Sequence, residues 1–166
     1  MKIVRMLLIF VGLAMVLFVT NQSIRSYQGI VDSGKQVLLE LRPVDPRSLI
    51  QGDYMFLRYA ENVFPPGESA EKLPRGGTLV LRLDEHGTGT YARMEDGSPL
   101  AADEVRLRFK SMTMWGDPGI GAETFNFEEG QAEIYADAKY GVLRIDESGK
   151  SVLVGLADEQ RVLIEP

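Results

Sequence analysis

The chain of 166 residues is 45% hydrophobic and 25% charged, a composition typical of a globular protein rather than a disordered one. Its 18 basic and 24 acidic side chains give a formal charge of −6, which argues against nucleic-acid binding because that function needs a basic face. The absence of cysteine excludes disulfides, thiolate metal ligands and a cysteine nucleophile. A single histidine makes a multi-histidine metal centre or a Ser-His-Asp triad difficult to build. We therefore expect neither a metal nor another cofactor.

The first predicted element is an apolar helix at the amino terminus. Residues 6–19 are all apolar or glycine, and the run extends to residues 3–19 if the Arg5 side chain reaches towards the lipid headgroups. Seventeen residues form a helix about 25 Å long, slightly short for a hydrocarbon core of about 30 Å. Continuation of the helix to Ile24 would relieve that mismatch. We predict a transmembrane anchor over residues 1–24 that contacts the lipid bilayer through this run.

Two other interpretations of the run are weaker. A cleaved signal peptide also has basic residues, here Lys2 and Arg5, before a short apolar stretch. Its cleavage site needs small residues at two alternate positions, and residues 19–25 offer no good pair of this kind. A helix buried in a soluble protein would have to be enclosed on every face, and the rest of the chain is too small and too polar in its patterning to enclose it. An uncleaved anchor is therefore favoured.

The charges that flank the run predict its orientation. Lys2, Arg5 and the amino terminus precede it, and only Arg25 follows closely. The amino terminus should therefore stay cytoplasmic, and the rest of the chain should face the other, extracytoplasmic side of the membrane. Without Lys2 and Arg5 the chain has 16 basic and 24 acidic side chains, a charge of −8. We do not expect so acidic a domain to bind an anionic membrane through its own surface.

The remainder divides into a stalk over residues 25–35, which has weak helical spacing, and an extracytoplasmic domain over residues 36–166 with a period of two. Alternating apolar positions predict strands at residues 37–42, 79–83, 90–94, 105–110, 142–145 and 152–156, and a short closing strand at 162–164. The second and third strands should form a hairpin, as should the fifth and sixth, with Gly149 at the left-handed position of the turn.

One segment departs from the strand pattern. Asn126 precedes Glu129 at the spacing of a capping box, and Ile134 and Ala138 share a helical face. We therefore predict a helix over residues 127–139. The predicted fold class is mainly β (α+β): an N-terminal transmembrane helix followed by a small β-barrel or sandwich-like domain with one helix.

The most informative stretch is a turn followed by a strand. Asp45 can cap a single helical turn that Pro46 begins, and Gly52 permits the positive φ at which this turn reverses. Asp53 can accept backbone N–H groups of the neighbouring loop. One face of the strand that follows should carry Tyr54, Phe56 and Arg58, and the other Met55, Leu57 and Tyr59.

This strand contains the pattern GDYxxLxY, formed by Gly52, Asp53, Tyr54, Leu57 and Tyr59. The pattern is identical to the motif after which the GDYXXLXY family is named. The membrane segment, residues 43–47 and residues 127–156 also resemble that family. The resemblance implies a bacterial, membrane-anchored protein without an established activity, similar to accessory proteins that accompany multi-pass membrane proteins. The five motif residues are the candidate binding residues, and no residue is assigned a catalytic or metal-binding role.

A second resemblance concerns catalysis. The spacing from Pro46 through Leu49 to Tyr54 is similar to a loop of type I signal peptidases, in which a serine nucleophile stands three residues before the proline. That position is Pro43 here, and no lysine occurs between Lys35 and Lys72. Without a nucleophile paired to a base, a Ser-Lys mechanism cannot begin.

Other groups of polar or aromatic residues are expected to be structural. The basic stripe Arg106, Arg108 and Lys110 fits a solvated strand face better than an anion site, and a change of parity beyond it predicts a bulge near Ser111. The remaining groups are His86 in a surface turn, Trp115 packed with Met112 and Met114, and Glu128, Glu129 and Glu133 at a helix N-terminus.

These features favour a non-catalytic domain that binds another envelope protein or a multi-pass membrane protein through residues 43–51 and 52–59. Two alternatives remain open. An envelope hydrolase that uses carboxylates such as Asp45 and Asp53 would need a cleft with two carboxyl groups several Å apart. A small-molecule or peptide-binding domain would need an apolar pocket of a few hundred Å³.

Overall fold

The computed structural model describes residues 2–42, 54–66, 73–74, 76–110 and 118–166. The described residues form one helix, α1 (Lys2–Ser33), a 3-10 turn at Glu61–Val63, and eight strands. The strands are β1 (Lys35–Glu40), β2 (Tyr54–Phe56), β3 (Gly76–Leu83), β4 (Gly89–Met94), β5 (Glu104–Lys110), β6 (Thr124–Asn126), β7 (Tyr140–Ile145) and β8 (Ser151–Ala157).

Helix α1 is apolar over most of its length and stands away from the sheets. Its Ile3–Ser33 part is long and apolar enough to cross a membrane, and its most apolar stretch is 0% buried. A helix buried in a soluble core is therefore excluded, since such a helix would be covered by protein on every face. The helix continues without a break through most of the predicted stalk, as far as Ser33, and ends against the sheets, where Ile30 is only 4% exposed.

The strands form three antiparallel sheets that share one core. Their orders are β1-β7-β8, β4-β3-β5 and β2-β6. The largest fully buried side chains come from both three-stranded sheets and are Leu39, Leu79, Leu81, Leu107, Leu143, Ile145 and Leu156. The predicted mainly-β class is confirmed, and the described strands do not close into a barrel.

Both predicted hairpins are confirmed. β3 pairs with β4, and β7 pairs with β8. Gly149 has a φ of +84°, the left-handed conformation predicted for the second turn. The alternation of β1 is also confirmed, since Val37 and Leu39 are fully buried in the main core. Leu38, on the opposite face, is buried as well, because it packs with Val142 and Ala157 in a second, smaller cluster.

Three turns share one hydrogen-bond pattern. In each turn an aspartate Oδ1 accepts the backbone N–H four residues later, at 2.7 to 2.9 Å. The residue three positions after the aspartate has a positive φ. The pairs are Asp84 with Gly87, Asp146 with Gly149, and Asp158 with Arg161. The carboxylates therefore fix the turns by bonding backbone donors that the strands leave unpaired.

The helix predicted over residues 127–139 is wrong. This segment forms successive turns, closed by bonds between residues three apart such as Gln131 N–H to Glu128 C=O at 3.1 Å. Gly130 has a φ of +87°, which a right-handed helix cannot contain. Ile134, on the apolar face of the predicted helix, is 43% exposed, and Tyr135 is buried in its place. Packing of the Tyr135 ring against Phe125, at 5.0 Å between centroids, accounts for this exchange.

Two further predictions concern short elements. The closing strand at 162–164 is reduced to a single bridge between Ala157 and Leu163. The bulge near Ser111 lies outside the described residues, as do Trp115, Met112 and Met114.

Candidate functional site

Strand β2 and the residues after it contain the second half of the GDYxxLxY motif. β2 pairs with β6, with Met55 opposite Phe125. The predicted alternation is confirmed, because Met55, Leu57 and Tyr59 are only 3 to 6% exposed. Tyr54 and Phe56, on the other face, are each 41% exposed. The motif residues therefore divide between the core and the surface.

Tyr59 is a structural residue of the core. Its hydroxyl donates a hydrogen bond to the backbone carbonyl of Ala122 at 2.5 Å. Its ring lies against Gly141, where a Cβ would stand 3.2 Å from Tyr59 Cε1. Burial, and to a smaller extent the negative charge of Glu123, raise the pKa of the Tyr59 hydroxyl far above its usual range. Tyr59 therefore stays neutral and acts as a hydrogen-bond donor.

Leu57 and Glu123 connect the motif to the loop before β6. The Leu57 N–H donates to the Glu123 backbone carbonyl at 2.8 Å. The Glu123 carboxylate accepts the backbone N–H groups of Ile120 and Gly121. Glu123 therefore holds the loop in shape through its carboxylate and joins it to Leu57 through its backbone carbonyl. Together with the bond from Tyr59 to Ala122, these contacts fix the loop to the motif strand.

Tyr54 and Phe56 form an aromatic pair on the exposed face of β2. Their ring centroids lie 5.3 Å apart and their planes meet at 87°, the edge-to-face geometry that aromatic rings prefer. Because the rings pack against each other and are both exposed, they present one continuous apolar surface. This surface, defined by Tyr54 and Phe56, is called the aromatic pair below.

The cavity beside the motif strand is small. It has a volume of about 110 Å³ and lies between Met55, Leu57, Tyr135 and Lys139. Ligand pockets for organic molecules span about 300 to 1,000 Å³. The cavity that the described residues enclose is smaller than this range, so it does not favour a small-molecule site at the motif.

Several predicted site residues cannot be located. Gly52 and Asp53, like the predicted turn over residues 43–51 with Asp45, lie outside the described residues. Phe56, by contrast, was missing from the candidate binding residues, although the strand alternation placed it beside Tyr54. No sequence signal pointed to Glu123, whose role depends on a loop conformation.

The other charged candidates lie on the surface. Arg106 Nε donates to Glu95 Oε2 at 2.7 Å, so this member of the basic stripe is held in an ion pair. His86 is exposed in the β3–β4 turn, as predicted, with Nε2 3.4 Å from Glu85 Oε1. The predicted role of Glu128, Glu129 and Glu133 at a helix N-terminus fails with that helix. Within the described ranges, no group of three or more potential metal-ligating side chains is found.

Comparison with known proteins gives a family and no closer relative. A family model described as GDYXXLXY protein matches residues 16–156. No curated protein and no solved structure matches the chain. The matched range includes the second half of α1 and all eight described strands except Ala157, the last residue of β8.

Proposed function

The chain belongs to the GDYXXLXY family, and from this premise we propose that it is a non-catalytic accessory domain. The domain is anchored in the inner membrane by α1 and faces the periplasm. There it binds an extracytoplasmic segment of a multi-pass membrane protein. The aromatic pair is the observation that carries this proposal, because exposed aromatic rings packed against each other are typical anchors of protein interfaces.

The division of the motif supports this role for Tyr54. Leu57 and Tyr59 have evident structural duties in the core and in the loop before β6. Tyr54 has no such duty, since it is 41% exposed and its ring contacts the equally exposed Phe56. A fold that needed only a strand at this position would be served by a polar residue, because exposed strand faces are ordinarily polar.

The position of β2 supports the proposal of a contact outside the bilayer. The motif segment joins the sheets at Tyr59, which bridges Leu41, just beyond the end of β1. β1 begins next to the end of α1, and its six residues span about 20 Å at 3.3 Å per residue. This spacing favours contact with a periplasmic loop or domain rather than with helices inside the bilayer.

The continuity of α1 supports an uncleaved anchor. Cleavage after the apolar run would cut a helix whose last turn packs on the sheets through Ile30. Gly34 closes the helix by donating its N–H to the Ile30 carbonyl at 2.8 Å. An added Cβ at Gly34 would lie 3.1 Å from the backbone nitrogen of Ile145, so α1 meets β7 closely. The proposed organisation is an anchor over residues 1–24, a stalk over residues 25–35 that is helical as far as Ser33, and a domain over residues 36–166.

Site-specific photo-crosslinking in cells tests the partner proposal. A photoreactive amino acid is placed at position 54 or 56 of the full-length chain, and at the exposed control positions Val154 and Val162. We expect one discrete crosslinked membrane protein from positions 54 and 56 and none from the controls. Equal products from all four positions, or none from 54 and 56, would contradict the proposal.

A matched pair of double variants then measures the energetic contribution. Tyr54→Ala/Phe56→Ala should reduce recovery of that crosslinked partner, in mild detergent, by about tenfold or more, because central aromatic residues contribute over 1 kcal/mol each. Val154→Ala/Val162→Ala should leave recovery unchanged. Tyr59→Ala is unsuitable, since it removes a core residue. The hydrolase alternative rests on Asp45 and Asp53, outside the described residues, and no described feature favours it.

A further inference from the structure

A cleft lies where α1 meets the sheets, on the side of the domain nearest the predicted membrane. It has a volume of about 570 Å³ and is bounded by the helix, by β3, by β5 and by the β7–β8 turn. Its polar lining side chains are Tyr27, Thr78, Arg108, Lys110, Lys150 and Ser151. We call it the basic cleft, because three of these six are cationic and no described lining residue is acidic.

The three cations of the basic cleft are not neutralised by ion pairs within the described part of the chain. Arg108 and Lys110 lie next to one another on β5, on alternate positions that share a face. Lys150 is close enough to Asp146 to lower the pKa of its carboxyl, so the negative charge of Asp146 offsets part of the charge of Lys150, although Asp146 does not line the cleft. The described lining therefore carries a net positive charge, chiefly from Arg108 and Lys110, in an otherwise acidic domain.

A neighbouring cavity provides a comparison. It is of similar size, about 650 Å³, and also lies near the end of α1, beside Ser33 and Lys35. Its charged lining is mixed, with two cations, Lys35 and Arg106, and three carboxylates, from Glu104, Asp146 and Glu147. Because size and location are alike, the uniform positive charge is a specific property of the basic cleft rather than of this end of the domain.

The height of the basic cleft above the bilayer follows from a contact with α1. Lys150 Nζ lies 3.8 Å from the centroid of the Tyr27 ring, a cation–π contact. Tyr27 follows Ile24 by about 4.5 Å and Val19 by about 12 Å along the helix axis. The headgroup layer on each side of a membrane is about 5 to 8 Å thick. If the hydrocarbon core ends between Val19 and Ile24, the Tyr27 ring and the Lys150 ammonium stand at headgroup level, where tyrosine is enriched.

We propose that the basic cleft binds the phosphate-bearing headgroup of an anionic phospholipid from the same bilayer that α1 crosses. Lys110 and Lys150 supply point charges for the phosphate, Arg108 supplies a planar array of donors, and the Tyr27 ring positions the Lys150 ammonium. The net charge of −8 predicts no general attraction between the domain and an anionic membrane, and this cluster supplies a local one. The bound lipid fixes the tilt of the domain on its anchor.

Lipid selection by the full-length chain tests the proposal. The protein is reconstituted in nanodiscs that contain phosphatidylglycerol and phosphatidylcholine in equal amounts, and lipids retained after release from the disc are counted by native mass spectrometry. The wild-type chain should retain phosphatidylglycerol in preference. Lys110→Gln/Lys150→Gln should reduce the preference by about fivefold for each cation, since a basic residue near an anionic surface contributes about 1 kcal/mol.

Two controls separate charge at this site from net charge and from folding. Arg82→Gln/Lys139→Gln removes two cations from elsewhere on the domain and should keep the preference. Lys110→Arg/Lys150→Arg retains the charges and should keep it too. An equal preference in the wild-type chain and in the Lys→Gln variant would overturn the proposal, as would loss of preference in all variants.

Free phosphate is the other source of the same chemistry. Inorganic phosphate, compared with chloride at equal ionic strength, should not displace the retained phosphatidylglycerol. Displacement by phosphate alone would assign the cleft to a soluble anion and overturn the lipid assignment. The basic cleft shares no lining residue with the aromatic pair, so failure of this test leaves the proposed partner interaction unaffected.

Discussion

The hydroxyl of Tyr59 and the backbone carbonyl of Ala122 are 63 positions apart in the chain, and they are joined by a buried hydrogen bond of 2.5 Å. This bond ties the motif strand to the loop before β6. The same tyrosine ring covers Gly141 at the start of β7. One side chain therefore connects three segments that are distant in sequence, and its removal has measurable consequences.

Tyr59→Phe should lower the free energy of unfolding by about 1 to 2 kcal/mol, because the buried Ala122 carbonyl loses its donor while the ring packing is preserved. Urea unfolding of the full-length chain in detergent, followed by the far-UV circular dichroism of the strands, measures the change. Tyr54→Phe, on the exposed face, is the control and should change stability by less than about 0.5 kcal/mol. Equal effects of the two substitutions would show that the bond contributes nothing.

The Tyr59 hydroxyl also predicts a loss of stability in alkali. Its pKa in the folded state is raised above the value near 10 that an unfolded tyrosine has, so above this pH the unfolded chain loses a proton that the folded chain keeps. Stability from this group is complete below about pH 10 and falls as the pH rises further, by up to about 1.4 kcal/mol per unit. The difference in stability between the wild-type chain and Tyr59→Phe should therefore shrink from about pH 10 upwards.

Gly141→Ala should destabilise the fold by about 1 to 3 kcal/mol, since the added methyl group meets the Tyr59 ring in a packed core. A smaller side chain at position 59 would make room for it. The cost should accordingly fall in a Tyr59→Leu background, which a double-mutant cycle detects. Gly29→Ala is a suitable comparison, because no atom lies within 4 Å of a Cβ built there. An unchanged cost in the Tyr59→Leu background would mean that the two residues are not coupled.

Asp146→Ala should destabilise the β7–β8 hairpin by about 1 to 2 kcal/mol through loss of its turn hydrogen bonds. Although partial burial opposes it, hydrogen bonding from Ser148 and Lys150 lowers the pKa of the Asp146 carboxyl. The stabilisation by the Asp146 carboxylate is therefore complete above about pH 4, near the pKa of an aspartate in the unfolded chain. It is lost as the pH falls through the lower pKa that Asp146 has in the folded chain. Thermal unfolding between neutral and acid pH tests this, with the exposed neighbour Glu147→Ala as control. A difference between wild type and Asp146→Ala that persists in acid would contradict the assignment.

Leu13→Arg should impair membrane insertion, because an arginine at the centre of a spanning helix costs about 2.5 to 3.5 kcal/mol. Gln22→Arg, near the end of the apolar run, should be tolerated since its charge can reach the headgroups. Cell fractionation with an alkaline carbonate wash measures both. Recovery of the wild-type chain in the soluble fraction would exclude the anchor on which the proposed function depends.

The local features of this fold were available from the sequence. Alternation over residues 105–110 predicted β5, and a glycine late in a polar turn predicted the left-handed Gly149. Both signals depend on residues that are close in the chain. A strand with one buried face has apolar residues at every second position, so its pattern is visible in the sequence. The membrane-spanning run and the two faces of the motif strand were predicted from the sequence for the same reason, since both depend on residues that are neighbours in the chain.

The tertiary structure decided what depends on contacts between distant segments. Residues 127–139 have helical spacing, yet the left-handed Gly130 and the packing of Tyr135 on Phe125 replace a helix with turns. Arg161 takes the glycine position of its turn, where its guanidinium donates from Nε to the Thr88 hydroxyl at 3.2 Å. No pattern along the chain reports such pairings. The net charge likewise gives no sign that Arg108, Lys110 and Lys150 meet at one cleft. The net charge is a sum over all residues, whereas the interaction between charges depends on the distances between them in the folded chain.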